Sequence, residues 1–263
     1  MNSALITQLG DELYHAMRSQ TRVEPLSKRK LNMVGADSYA ISRYILARRE
    51  QDGETLVGMK IGLTSRAAQK QLGVEHPDFG FLTDAMAFDS GSEVPISSYL
   101  IQPKAEGEIA FVLAKDLYGP NLTVDDVVSA IEGITACFEI ADSRIFDWRN
   151  AYEDTVADNA SCGLYVLCDK LIPIEGADLV NCSMELRRNG KVASVAAGPG
   201  NAALASPVNV IAWLANFLSE FGLGLHAGDV ILTGALGPTV PAVVGDALSL
   251  AIEGIGEASL RFV

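Results

Sequence analysis

Three glutamates define the chemistry open to this sequence. Glu106 and Glu108 flank Gly107 in the run Pro103-Lys-Ala-Glu-Gly-Glu-Ile-Ala-Phe-Val-Leu-Ala114, whose second half is apolar and rich in strand-forming residues. Side chains alternate across a strand, so the two carboxylates share a face and stand roughly 7 Å apart along the chain. Gly107, Ile109, Phe111 and Leu113 take the other face, and Gly107 leaves room for close approach by a second backbone or a ligand. A third acid, Glu139, sits in apolar company within Ile134-Thr-Ala-Cys-Phe-Glu-Ile-Ala141. Burying a carboxylate without a partner is costly, and the remedies are a cation, a metal or a raised pKa. Three converging glutamates suit a hard divalent cation bound through oxygen, Mg²⁺ or Mn²⁺. On spacing alone the Glu-x-Glu pair fits a solvated edge strand as well; Glu139 in its apolar strand brings the ion site level with that reading.

Other groups could move protons. Lys60 stands among apolar neighbours in Leu56-Val-Gly-Met-Lys-Ile-Gly62. It reads either as a lysine snorkelling from a strand end or as a buried ammonium near acids, able to hold an anion or carry a proton. Asp78 falls between Pro77 and Phe79 in a turn-rich stretch over residues 75–82, where an aspartate is ordinarily a turn former. Only three histidines are present, His15, His76 and His226, which disfavours a His-rich zinc or iron site and favours all-oxygen ligation.

Composition sets the frame for these groups. The chain has 263 residues, about half of them hydrophobic, enough for one large α/β or barrel-like unit. A formal net charge of −13 argues against nucleic acid or an anionic membrane as partner. No apolar run reaches the ~20 residues of a membrane span, and the acid-containing N-terminus does not read as a signal peptide. Four cysteines without C-x-x-C spacing read as reduced thiols of a cytoplasmic protein.

The elements that must position the site follow from periodicity. Residues 3–19 form an amphipathic helix with Ser3 as a cap, and a second helix runs from about Asp37 to a stop at Gly53. Residues 1–54 thus make an N-terminal helical section, and residues 55–263 a β-rich core forming one structural unit. Within the core the pattern predicts strands at Lys60, Glu106 and Glu139 and a short helix over 64–72. It predicts a Thr123-capped helix, a long polar loop over 145–165, and a strand ending at the Asn189-Gly190 hairpin. A helix opening at Ser206-Pro207 and four short C-terminal strands follow. The fold class is α+β, a mixed sheet curled into a barrel-like core with helices outside.

Five motifs in order carry a resemblance: Gly58-Met-Lys-Ile-Gly-Leu-Thr-Ser65, Gln71-Leu-Gly-Val-Glu-His-Pro-Asp-Phe-Gly80, the Glu-Gly-Glu strand, Asp154-Thr-Val-Ala-Asp-Asn-Ala-Ser-Cys162 and Ile231-Leu-Thr-Gly-Ala-Leu-Gly237. From the second helix to Val263 the chain resembles the 2-keto-4-pentenoate hydratase (2-hydroxypenta-2,4-dienoate hydratase) branch of the fumarylacetoacetate hydrolase superfamily. The resemblance implies a β-roll core, a divalent metal at Glu106, Glu108 and Glu139, and proton transfer by Lys60 and Asp78. It places Ser161 at the substrate and Thr233 and Gly234 near the substrate carboxylate. The family's Gln-Pro-Arg turn stands here as Gln102-Pro103-Lys104, which keeps the charge.

The implied reaction adds water to a 2-hydroxy-2,4-dienoate from the catabolism of aromatic compounds. Ketonisation gives a 3-en-2-oxo acid, water attacks C4, and the product is a 4-hydroxy-2-oxo acid. A 4-oxalocrotonate decarboxylase is the alternative within the superfamily, disfavoured by the charge of Asp78. A non-catalytic partner that docks a pathway enzyme is the alternative from another class. The resemblance further implies a homo-oligomer, with pentamer-based assembly as one form and association with a pathway decarboxylase or aldolase as an addition.

Overall fold

The computed structural model describes residues 1–29, 31–196, 204 and 206–263. Helices α1 (Ser3–Ser19) and α2 (Gly35–Gln51) come first. Asn2, rather than Ser3, caps α1, its side chain accepting from the Leu5 amide at 2.9 Å. Leu9 and Leu13 of α1 meet Ile41 and Ile45 of α2 in a small core that Ile145 and Ala157, from much later in the chain, complete.

Strand β1 (Leu56–Gly62) leads into α3 (Arg66–Leu72), capped by the Ser65 hydroxyl and closed by Gly73 at φ +70°. The stretch expected to be turns is a strand: β2 (Asp78–Thr83) is buried at every residue and pairs antiparallel with β1. Its apolar residues sit on both faces, so the alternation that marks a half-exposed strand is absent. Short strands β3 (Ala87–Asp89) and β4 (Ser92–Val94) and the helical turn α4 (Ile96–Tyr99) follow.

The long antiparallel pair β5 (Lys104–Leu113) and β6 (Ile131–Ala141) forms the centre, joined through α5 (Val124–Ala130) with the expected Thr123 and Asp126 capping box. The expected loop over 145–165 contains helix α6 (Tyr152–Ala157). Its Asp154 points inward, accepting from the amides of Ser27 and Ala151 and from the Ser27 hydroxyl. A short helix whose polar residues make buried bonds shows no apolar stripe, which is why its periodicity is silent.

Strand β7 (Cys162–Leu167), the hairpin β8 (Met184–Arg188) and β9 (Lys191–Ala196), helix α7 (Pro207–Leu218) and strands β10 (Val230–Leu232), β11 (Val240–Pro241), β12 (Ala247–Ile252) and β13 (Gly256–Phe262) complete the fold. The chain is α+β, with the strands divided between two mixed sheets. One has the order β2-β1-β10-β5-β6-β7-β3, with β11 on β5, and the other β4-β13-β12-β8-β9. Gly107 marks where the sheets meet, since a Cβ there would lie 2.7 Å from Leu250 Cδ1 and 3.2 Å from Met184 Sδ. The glycine between the two glutamates therefore admits the second sheet, while the carboxylates occupy the opposite face. No helix among the described residues is long and apolar enough to cross a membrane.

Candidate active site

The β5–β6 register sets Glu106 directly opposite Glu139, with Glu108 two residues further along β5. Directly paired side chains have Cβ atoms about 5 Å apart, and like charges in that position repel. Carboxylate oxygens of Glu106, Glu108 and Glu139 all lie within 4.8 Å of one another. Glu108 and Glu139 are buried and Glu106 is half-buried. Burial, reinforced by the charge of Glu139, pushes Glu106 up to about 7. Burial and the charges of Glu139 and Glu106 raise Glu108 further still. One hydrogen bond steadies the trio: the Gly234 amide donates to Glu108 Oε2 at 2.8 Å. Gly234 adopts φ +96°, and a methyl there would collide with Thr64, so only glycine brings that amide to Glu108.

Lys60 reaches the same place from β1. It is 5% exposed, and its Nζ lies 3.1 Å from Glu139 Oε1, so the buried reading holds and the snorkelling one does not. Burial works against the ammonium, but Glu139 first and then Asp78 outweigh it and hold its pKa above the ordinary lysine range. Asp78 opens β2 opposite Gly62, 1% exposed, and burial raises its pKa although Lys60 opposes the shift. Four carboxylates therefore face one ammonium in the protein interior.

Ser161 stands on an unusual turn. Asn159, Ala160 and Ser161 have φ of +53°, +49° and +54°, a left-handed conformation that costs about 1 kcal/mol or more per non-glycine residue. Buried partners over-determine it. The Asn159 side chain brackets Phe81 of β2, accepting from its amide at 2.7 Å and donating to its carbonyl at 2.9 Å. Arg144 is buried and paired with Asp158 through Nε at 2.5 Å, with further bonds to the Asp142 and Cys162 carbonyls. Arg144 is thus an interior cation, whereas Arg149 meets Glu24 at the surface, at 3.4 Å. The Ser161 hydroxyl accepts from Asn150 Nδ2 at 3.3 Å, and no hydrogen bond among the described residues joins it to the glutamates. Thr233 donates its hydroxyl to the Ile109 carbonyl at 2.9 Å, which fastens β10 to β5.

Lys60 and the three glutamates thus converge, with Asp78 on their Lys60 side. Thr233 and Gly234 brace β5, the strand that carries Glu106 and Glu108. Gly62, Thr64 and the Arg144–Asp158 pair escaped sequence reasoning as site elements. Gly62 lay inside a quoted motif, but nothing in its type shows which side chain it admits.

Residues 57–263 match the fumarylacetoacetate (FAA) hydrolase C-terminal family. A 2-hydroxypent-2,4-dienoate hydratase of Pseudomonas putida is 53% identical, covering 85% of this chain and 100% of that one. A 2-hydroxyhexa-2,4-dienoate hydratase of Comamonas testosteroni is 46% identical, with 96% of each chain covered. The solved structure of 4-oxalocrotonate decarboxylase from Pseudomonas putida G7, complexed with magnesium and adipate, superposes with a TM-score of 0.95 at 33% identity, covering 100% of this chain and 99% of that one. The chain belongs to the fumarylacetoacetate hydrolase family, in the group that holds these hydratases.

Proposed function

We propose that this protein is a hydro-lyase that adds water to 2-hydroxypenta-2,4-dienoate, giving 4-hydroxy-2-oxopentanoate. The observation that carries the reading is a buried Lys60, paired with Glu139, that shares the volume over Gly62 with the buried, unpartnered Asp78 carboxylate beside three clustered glutamates. The hydratase relatives give it its substrate class.

The glutamates suit a divalent cation on their own chemistry. Glu108 Oε1 is buried and lacks a hydrogen-bond partner among the described residues, Glu139 Oε1 is buried against the Lys60 ammonium, and every donor is a hard oxygen. A Mg²⁺ or Mn²⁺ held by Glu106, Glu108 and Glu139 would polarise the substrate's 2-oxygen and favour its dienolate form.

The remaining steps belong to the chain's own groups. Lys60, between Glu139 and Asp78, delivers a proton to C5 to give the 2-oxo-3-enoate, regains the proton that the 2-hydroxyl releases, and delivers it at C3 after water has added. The proton taken from the water returns to solvent with the product. Asp78 takes a proton from the water that attacks C4, and burial strengthens it as a base by raising its pKa. Ser161, held by its left-handed turn, orients the substrate. Thr233 and Gly234, whose bonds are taken up by Ile109 and Glu108, hold the substrate's carboxylate end by fixing the strand beside it.

The resemblance also supports a cytoplasmic homo-oligomer. The division into a helical section, 1–54, and a catalytic core forming one unit, 55–263, is part of this reading, with Ile145 and Ala157 of the core packed into the helical cluster.

The test offers the protein 2-hydroxypenta-2,4-dienoate with Mg²⁺. Loss of the dienoate absorbance with formation of 4-hydroxy-2-oxopentanoate is expected. Release of CO₂ from 4-oxalocrotonate, with the pentadienoate left untouched, overturns the reading in favour of a decarboxylase.

A further inference from the structure

A buried phenol ahead of the family match adds to the site. Tyr39 lies on α2, before residue 57 where that match begins. Its ring stacks on Phe79 with centroids 4.5 Å apart and an interplanar angle of 15°. Phe217 and Phe221 meet the same ring edge-on at 5.8 and 5.2 Å. These contacts fix α2 against the start of β2, where Phe79 directly follows Asp78.

Tyr39 is 2% exposed, and its hydroxyl has no hydrogen-bond partner among the described residues. Both oxygens of Asp78 share that condition. The Tyr152 phenol of α6 stands beside that of Tyr39, and the Asp78 carboxylate acts on both, adding to the burial that raises each pKa. His76 supports Tyr152 edge-on at 5.3 Å. A buried tyrosine ordinarily finds a partner for its hydroxyl, and packing alone would be served by phenylalanine. A buried hydroxyl without a partner, on the ring that stacks on Phe79, and a buried acceptor pair without one, on the residue just before Phe79, point to a shared target.

We propose that Tyr39 is a positioning residue for hydration, its hydroxyl acting with Asp78 to orient the water that adds to C4, and Tyr152 aligning that hydroxyl. The inference rests on the hydratase reading. As the water oxygen bonds to C4, the C3=C4 pair moves through C3 and C2 to the 2-oxygen, and one water proton passes to Asp78. Tyr39 keeps its own proton throughout. The helical section ahead of the family match thereby contributes to the reaction centre.

Tyr39→Phe retains every ring contact and removes only the hydroxyl. Loss of a hydrogen bond to a charged group in the transition state corresponds to a fall of about 10- to 100-fold in kcat for hydration. Ketonisation, followed as deuterium uptake at C5 from solvent, continues at the wild-type rate. KM and the calorimetric affinity for 2-oxopentanoate, which lacks the C3=C4 bond, stay within about twofold, on the view that uniform binding is untouched. A merely structural role would lower both steps together or neither. Should Tyr39→Phe fail to fold, Tyr152→Phe is the second variant, with the same split between steps expected at smaller size. Wild-type hydration by a folded Tyr39→Phe overturns this inference alone, as does an unsplit Tyr152→Phe. A wild-type protein that hydrates no dienoate overturns the functional reading and this inference with it.

Discussion

Gly62 and Asp78 are register partners in the β1–β2 pair, and the Asp78 carboxylate occupies the space that a side chain on Gly62 would fill. A methyl on Gly62 would collide with Asp78 Oδ1 and lie 3.4 Å from Lys60 Nζ. The missing side chain is what lets a carboxylate on one strand and an ammonium on the next share one buried volume.

Gly62→Ala should therefore damage function more than fold. Overpacking of this kind costs about 1–3 kcal/mol of stability, while displacement of Asp78 should lower turnover by about 100-fold, in line with the sensitivity of catalysis to misplacements near 1 Å. Mg²⁺ affinity should hold, because the glutamates lie on β5 and β6. Thermal melting, steady-state kinetics and metal titration check the three parts separately, and unchanged turnover would remove Gly62 from the site.

The glutamate trio makes stability and metal binding depend on pH. Glu106 sits near 7 in the metal-free fold against an ordinary 4.5. Between those values the folded chain holds a proton that the unfolded chain has lost, so unfolding free energy falls as pH rises toward about 7 and this contribution then levels off. A cation needs the ionised form, so its binding releases protons below that pH. The rise in melting temperature on adding Mg²⁺ should be small at pH 5.5 and large at pH 8, with chelator reversing it. Equal shifts at both pH values would detach Glu106 from the ion.

Much of this site was legible in the sequence because strand periodicity is short-range. Glu-Gly-Glu fixes two carboxylates on one face wherever the strand goes, and apolar neighbours marked Glu139 and Lys60 as interior charges. Their convergence depends on sheet order, which places β10 between β1 and β5 and is set by contacts far apart in sequence. Asp78 reads as a turn former in the sequence because β2 is buried on both faces and shows no alternation. The 152–161 segment reads as loop because Asp154 and Asp158 satisfy backbone and arginine partners inside the protein. Tyr39 was hidden for a third reason: on a helix it reads as one more apolar position, and only packing reveals where its hydroxyl ends.

Lys60 tests whether the buried ammonium acts in the reaction or only neutralises charge. Lys60→Met keeps a flexible chain of similar volume and removes the charge 3.1 Å from Glu139. Turnover should fall by about 10²–10⁴-fold, the range ascribed to a general acid or base. Mg²⁺ affinity should rise, because the lysine competes with the cation for Glu139. A near-normal rate would reduce Lys60 to a counter-ion, and weaker metal binding would show that it orders the glutamates.

Asp78 separates water addition from loss of CO₂. Both reactions pass through the same dienolate at the glutamate end, so the three carboxylates cannot distinguish them. The difference lies at the far carbon. A hydratase needs a base beside C4, whereas a decarboxylase needs surroundings that favour loss of a charged group. A carboxylate buried against Gly62, without a hydrogen-bond partner among the described residues, suits the first and repels the second. Asp78→Asn fits the same volume and cannot take a proton, so water addition should fall by about 10²–10⁴-fold. Mg²⁺ affinity and 2-oxo acid binding should change little, since neither depends on the far end. Deuterium uptake at C5 should persist, because Lys60 remains to protonate carbon. If Asp78→Asn instead hydrates normally, or gains CO₂ release from 4-oxalocrotonate without losing hydration, the base lies elsewhere and Asp78 only balances the charge of Lys60.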